Sequence, residues 1–257
     1  MGKLFFFDAD GTLIPDDAQC RPSAAVCAAL EALRRSGHKV FLCTGRPMCE
    51  IGPELMSTGF DGIVAGAGAY ISLDGTCIFH QTIPLPLLRE TVDRIVRCRI
   101  SCLLDGTRQL YYAGRGSRVL PWDFPRIEGP EELTGEEDIE KFTARVSQPE
   151  ELLPLRDFLV RHYELYPSDD GLFYEVVQQG CDKAAAIRRL CARCGVGLED
   201  TVAFGDSRND LTMLEAAGIG AAMSNAPEEV RRAAQLVTGT VAQDGICHAL
   251  QRLGFLP

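Results

Sequence analysis

Short apolar runs that end in a polar cluster and lead into an amphipathic stretch recur at both ends of the chain. This alternation constrains the fold more than any other feature. Lys3–Phe7 is an apolar, aromatic run closed by Asp8-Ala9-Asp10-Gly11. A run without polar alternation suits a strand buried on both faces. After Pro22, the residues Val26, Leu30 and Leu33 recur at helical spacing, predicting a helix that stops before Gly37. Lys39–Cys43 is a second apolar strand, closed by Thr44-Gly45-Arg46-Pro47, followed by a helix to about Ser57 and a strand over Gly62–Ala65. The same order returns late: helix Lys183–Cys194, strand Thr201–Phe204, helix Asp210–Ala217, strand Gly220–Ala222 and helix Pro227–Ala234. Strands and helices that alternate through short connections predict an α/β fold, a doubly wound parallel sheet wrapped by helices.

The middle of the chain reads differently. Helix Leu85–Arg97, strand Ser101–Leu104, turn Asp105-Gly106 and strand Gln109–Ala113 come first, then a Pro- and Glu-rich stretch from Pro121 to Asp138. Strand Lys141–Val146 and helix Pro149–His162 precede strands Tyr163–Tyr166 and Leu172–Val177, which flank Asp170-Gly171. A helix followed by two strands around an Asp-Gly turn thus occurs twice, the pattern of an α+β unit with an antiparallel sheet. The predicted organisation is a discontinuous core domain (1–83 and 180–257) interrupted by an inserted domain (84–179).

The 257 residues suffice for such cores without a metal staple or disulfide. With 26 Lys and Arg against 36 Asp and Glu, the net charge of −10 argues against nucleic acid as a partner. No apolar stretch approaches the roughly 20 residues of a membrane span, and the first acid, Asp8, falls where a signal peptide would be apolar. The 11 Cys are an odd number scattered along the chain, as expected of reduced thiols in the cytoplasm. Cys191 and Cys194 form a single CxxC without a second pair, which reads as helix packing. His38, His80, His162, His248 and Trp122 fall in no motif, and Asp16 and Asp17 read as solvated loop residues.

In a parallel α/β sheet, ligands bind beyond the C-terminal ends of the strands. Three predicted strands deliver polar clusters there: Asp8-Ala9-Asp10-Gly11-Thr12, Thr44-Gly45-Arg46, and Gly205-Asp206-Ser207-Arg208-Asn209-Asp210. Converging carboxylates repel one another unless protons or a cation neutralise them. Oxygen-only ligands select a hard ion, Mg²⁺ above all. Competing motifs fail by position. A calcium loop opening at Asp8 would need Gly and Glu where Leu13 and Gln19 stand, and Gly66-Ala67-Gly68 meets Ile71 where a dinucleotide fingerprint needs its third Gly.

Asp8-Ala9-Asp10-Gly11-Thr12-Leu13, Thr44-Gly45-Arg46, Lys183 and Gly205-Asp206-Ser207-Arg208-Asn209-Asp210, in that order, resemble the motifs of the haloacid dehalogenase (HAD) superfamily. The inserted domain resembles the type IIB cap of the Cof-like sugar-phosphate phosphatases, as do Ala222-Met223-Ser224-Asn225-Ala226 and Asp244-Gly245-Ile246. The resemblance implies a Rossmann-like core and a Mg²⁺-dependent hydrolase that removes phosphate from a small phosphorylated metabolite, such as a sugar phosphate, through an aspartyl-phosphate. It implies Asp8 as nucleophile and Asp10 as general acid and base. Asp8, Asp206 and the Asp10 carbonyl would hold Mg²⁺, with Asp210 a further metal partner, either a direct ligand or one standing behind the ligands. Thr44, Gly45, Lys183 and Asn209 would hold the phosphoryl oxygens. Arg46, Glu175 and Asn225 are candidates for substrate contact, with Arg108, Tyr111 and Tyr112 further possibilities in the insert. The active form is expected to be a monomer or homodimer.

Three positions depart from the family pattern: Ala67-Gly68-Ala69 replaces Asn-Gly-Ala, Ala184 replaces the Gly after the motif lysine, and Ser224 replaces the Gly before Asn225. None removes a catalytic group. A phosphomutase of the same superfamily and a non-catalytic sensor of phosphorylated metabolites are the alternatives. The second is disfavoured by the paired Asp8 and Asp10, since a pure binder has no use for an acid beside a nucleophile.

Overall fold

The computed structural model describes residues 2–16, 20–114, 124–168 and 170–257. Asp17 and Trp122 lie outside the described residues. The chain forms two compact units, one of Met1–Arg46, Ile51–Phe79 and Asp182–Pro257, the other of Pro47–Glu50 and His80–Cys181.

In chain order, the first stretch holds β1 (Leu4–Phe7), α1 (Ala24–Arg35), β2 (Lys39–Cys43), α2 (Pro53–Met56), β3 (Gly62–Ala65), β4 (Tyr70–Leu73) and β5 (Thr76–His80). The insert holds α3 (Leu85–Cys98), β6 (Ser101–Gly106), β7 (Leu110–Gly114), β8 (Arg126–Ile127), β9 (Ile139–Arg145), α4 (Leu153–His162), β10 (Tyr163–Pro167) and β11 (Phe173–Gln178). The last stretch holds α5 (Lys183–Cys194), β12 (Thr201–Gly205), α6 (Leu211–Ala216), β13 (Ile219–Met223), α7 (Glu228–Ala233), β14 (Leu236–Thr238) and α8 (Gly245–Arg252).

The strands of the first unit form a sheet in the order β14-β13-β12-β1-β2-β3-β4-β5. From β14 through β3 every pairing is parallel, and β4 returns antiparallel to β3. The fold is the expected α/β type. The sequence grammar did not anticipate the β4–β5 hairpin, β14 or α8. The helix expected up to Ser57 is only a 3₁₀ turn at Met48–Glu50 and the single turn of α2, because Gly52 and Pro53 restart the chain.

Strand β1 is the centre of the sheet, which explains its unbroken apolar run. Phe5, Phe6 and Phe7 are fully buried. In register, Phe6 stacks on Phe41 of β2 at 5.0 Å and Phe7 on Phe204 of β12 at 4.9 Å. Helix α1 is capped by Ser23, whose hydroxyl accepts from the Val26 amide, and buries Val26, Ala29, Leu30 and Leu33. Cys191 and Cys194 pack in the apolar cluster beside α5, so the CxxC is packing, and all eleven cysteines are free.

The insert carries a sheet in the order β10-β11-β9-β6-β7-β8. Helices α3 and α4 cover one face of it through Leu88, Val92, Ile95, Leu155 and Leu159, which pack with Leu104, Phe142 and Val176. The two copies of the helix–strand–strand pattern flank the central β9. Asp170-Gly171 makes the expected turn, with Gly171 at φ +67°. Asp105-Gly106 does not. Both residues belong to β6, and the chain turns after them because Lys141, opposite Asp105 on β9, draws its carboxylate into a buried ion pair of 2.5 Å.

Among the described residues no helix is long and apolar enough to cross a membrane. Because Phe6 touches the stacked core from the central strand, Phe6→Ala is expected to cost about 3–5 kcal/mol of unfolding free energy. Urea denaturation should show a lower midpoint with an unchanged slope.

Candidate active site

Chain order in the first sheet reverses beside β1: β2 and β3 continue to one side, β12 and β13 to the other. At such a switch point the loops leaving adjacent strands part and open a crevice at the C-terminal strand ends. Asp8 follows β1, Thr44 follows β2, and Asp206 follows β12.

Asp8 extends the ladder by donating its amide to the Phe204 carbonyl at 2.9 Å, and its side chain is buried. The loop beyond it turns sharply, with the Leu13 and Ile14 amides both bonded to the Ala9 carbonyl. Gly11 sits at φ +70°, and a Cβ there would lie 2.1 Å from Asp206 Oδ2. Only glycine lets this backbone lie against the carboxylate.

Lys183 opens α5 just after the Asp182 cap, whose side chain accepts from the Ala185 amide. The lysine is 1% exposed. Its ammonium donates to Asp8 Oδ1 at 2.7 Å and to Asp210 Oδ1 at 2.6 Å. The other oxygen of Asp210 accepts from the Asp206 and Ser207 amides, each at 3.0 Å. Asp210 therefore folds the loop that presents Asp206. One of its oxygens is held by the ammonium and the other by the loop amides.

Asp206 is gripped at both oxygens: the Thr12 hydroxyl donates to Oδ1 at 3.1 Å and the Asn225 amide to Oδ2 at 2.9 Å. The Asn225 amide also donates to the Gly11 carbonyl. Asp10 stands apart from this cluster, its carboxylate held by Arg46 through Nε at 2.8 Å and Nη2 at 2.5 Å. Thr44 is buried, and its hydroxyl accepts from the Arg46 amide. Gly45 lies in the bend between them. The Asn209 side-chain oxygen accepts from the Ser207 hydroxyl at 2.7 Å. Arg46 and Asn225, expected at the substrate, are engaged here with Asp10 and Asp206.

Glu175 belongs to the other unit, where it and Asp105 flank the buried Lys141. Of the further candidates there, Arg108 pairs with Asp138, Tyr111 packs on the helix-covered side, and the Arg126 guanidinium lies over the Tyr112 ring. Thr12 had no role assigned from sequence. Its place in the first motif was the available signal, but its partner lies 194 residues away.

Oxygens of Asp8, Asp206 and Asp210 lie within 4.8 Å of one another, the only such group of potential ligands found among the described residues. One ammonium cannot neutralise three carboxylates. Burial, then the charge of Asp210, pushes the Asp8 carboxyl well above its ordinary range. Burial and Asp210 also push Asp206 up to about 7. The donor set fits Mg²⁺: it is all oxygen, carries excess negative charge, and includes no imidazole or thiolate to favour a softer ion.

The sequence profile of the haloacid dehalogenase-like hydrolases matches residues 5–250. The chain belongs to that family. It is similar, at 29% identity over 98% of this chain and 97% of the relative, to a phosphoglycolate phosphatase of Methanopyrus kandleri. It is 26% identical, over 96% of both chains, to the Bacillus subtilis 5-amino-6-(5-phospho-D-ribitylamino)uracil phosphatase YitU. Among solved structures, a HAD subclass IIB sugar phosphatase superposes with a TM-score of 0.84 at 28% identity, over 99% of this chain and 100% of that one. The protein is an enzyme of this hydrolase family. Its Ala67 adopts φ +57°, a conformation in which Asn is less strained than Ala.

The raised Asp206 carboxyl has a consequence for stability. Between its ordinary value and about 7, the folded metal-free protein holds a proton that the unfolded chain has released. The contribution of this group to stability is therefore full at low pH and is lost as pH rises through about 7. Melts of chelator-treated protein between about pH 5 and about pH 8 should show Tm falling with pH more steeply in wild type than in Asp206→Asn.

Proposed function

We propose that the protein is a Mg²⁺-dependent phosphatase that hydrolyses a small phosphorylated metabolite, a sugar phosphate, through an aspartyl-phosphate on Asp8. The observation that carries this reading is the division of labour at the end of one strand. Asp8 is buried and held by Lys183, while Asp10, two residues on, is separately held by Arg46.

In the first step an oxygen of the Asp8 carboxylate attacks phosphorus as the bond from phosphorus to the leaving oxygen breaks. Asp10, entering the step protonated and released from its Arg46 ion pair, donates that proton to the leaving oxygen. In the second step Asp10, now a carboxylate, takes a proton from water. The water oxygen attacks phosphorus and the bond to Asp8 breaks, releasing phosphate. Lys183 has three N–H donors, two of them directed at Asp8 and Asp210. The third is assigned to a phosphoryl oxygen, together with Thr44, the Gly45 amide and Asn209. Asp8, Asp206 and the Asp10 carbonyl would hold Mg²⁺, with Asp210 orienting Asp206. When bound, the ion supplies positive charge against the carboxylates and the transferring group.

The sugar substrate is supported by the likeness to a sugar phosphatase. The named relatives act on chemically different leaving groups, so the shared core motifs alone do not set the choice. We assign that choice to the inserted unit, with Glu175 as a candidate. Eleven free thiols are in keeping with action in the reducing cytoplasm.

The test is phosphate release from a panel of phosphorylated sugars, nucleotides and cofactors. Release should require Mg²⁺, vanish in Asp8→Asn and fall about 10²–10⁴-fold in Asp10→Asn. Isomerised sugar without free phosphate would put a phosphomutase in its place. Tight binding without turnover would make the protein a sensor.

A further inference from the structure

The loop after β13 supplies a side chain that reaches back across the sheet to the acidic cluster. Asn225 is exposed, beyond the last residue of β13. Its amide nitrogen donates one hydrogen bond to Asp206 Oδ2 at 2.9 Å and another to the Gly11 carbonyl at 3.1 Å. It thereby ties the loop after β1 to the carboxylate after β12. The Thr12 hydroxyl completes the grip on the opposite oxygen. Gly11, with no Cβ, closes the remaining side.

We propose that Asn225 is a positioning residue for the metal-binding carboxylate of Asp206, assisted by Thr12, and is not a substrate contact. This rests on the proposed Mg²⁺ site. The physical reason is electrostatic. Without donors of its own, Asp206 would lower its repulsion with Asp8 and Asp210 by rotating out toward water. Two neutral donors, one to each oxygen, satisfy the carboxylate in its inward rotamer and add no charge that would compete with a cation. The ion then meets a carboxylate already in place and pays no cost to reorganise it. Outer-shell partners of metal ligands typically contribute about 10–100-fold in metal affinity. Neither residue needs to touch the substrate for this effect.

The experiment titrates Mn²⁺ alone into chelator-treated protein, without substrate, and follows free Mn²⁺ by its electron paramagnetic resonance signal. Asn225→Ala, at an exposed position, is expected to fold as wild type and bind Mn²⁺ about 10–100-fold more weakly. Thr12→Val should weaken binding in the same direction, and Thr12→Ser, which keeps the hydroxyl, should restore it. At saturating metal, Asn225→Ala should keep the wild-type KM for the best substrate. Unchanged Mn²⁺ affinity in Asn225→Ala with a raised KM would overturn the proposal in favour of a substrate contact, leaving the phosphatase reading intact. A wild type that binds no Mn²⁺ yet hydrolyses its substrate in chelator would overturn the metal site and this inference together.

Discussion

The buried ammonium of Lys183 is the interaction on which the rest of the site depends. It lies between Asp8 at the end of β1 and Asp210 in the turn after β12, within hydrogen-bond distance of both. A buried lysine is costly to desolvate, and a pair of buried carboxylates more so. Here each cost is offset by the others, so burial, which alone would lower the lysine, is outweighed and its pKa stands well above the ordinary value. Removing the ammonium would leave two buried anions facing each other. The same contact joins the start of α5 to the end of β1, distant in sequence, and to the turn after β12, so the end of the sheet and the helix beside it are positioned as one piece.

Asp210 carries that constraint outward. One oxygen is committed to Lys183 and the other to the Asp206 and Ser207 amides. The close approach shows at Gly205, where a Cβ would fall 2.5 Å from the Asp210 carboxyl carbon. The carboxylate thus acts as an internal cap that sets the backbone on which Asp206 is displayed. Asp206 is in turn held from its far side by Thr12 and Asn225. The negative charge is concentrated by three successive elements of backbone geometry, and a divalent cation relieves it better than protons can at neutral pH.

The inserted unit repeats the use of a buried lysine for a different purpose. Lys141 lies between Asp105 and Glu175 on three adjacent strands. Burial raises Asp105 while Lys141 lowers it, and its Oδ1 is buried without a hydrogen-bond partner. That carboxylate is why Asp105-Gly106 fails as a turn. An Asp-Gly pair has the local chemistry of a turn, but a cation waiting across the sheet is worth more to the carboxylate than a local backbone bond. His80, which stood in no motif, likewise finds Glu140 at 2.9 Å.

Sequence alone determined whatever depends on neighbours along the chain. The unbroken apolar run of β1 announced a central strand. The helical spacing of Val26, Leu30 and Leu33 announced α1. Polar clusters at strand ends located Asp8, Asp10, Thr44 and Asp206 at the edge where an α/β sheet binds ligands, and their order marked the family. The tertiary structure decided what depends on partners far away. It gave Thr12 and Asn225 to Asp206, Arg46 to Asp10, and Lys183 and the loop amides to Asp210. It also set the β4–β5 edge and β14, whose short runs carry little periodicity of their own. Apolar periodicity is local and legible, whereas the partner of a polar or charged side chain is chosen by the sheet order that brings distant strand ends together.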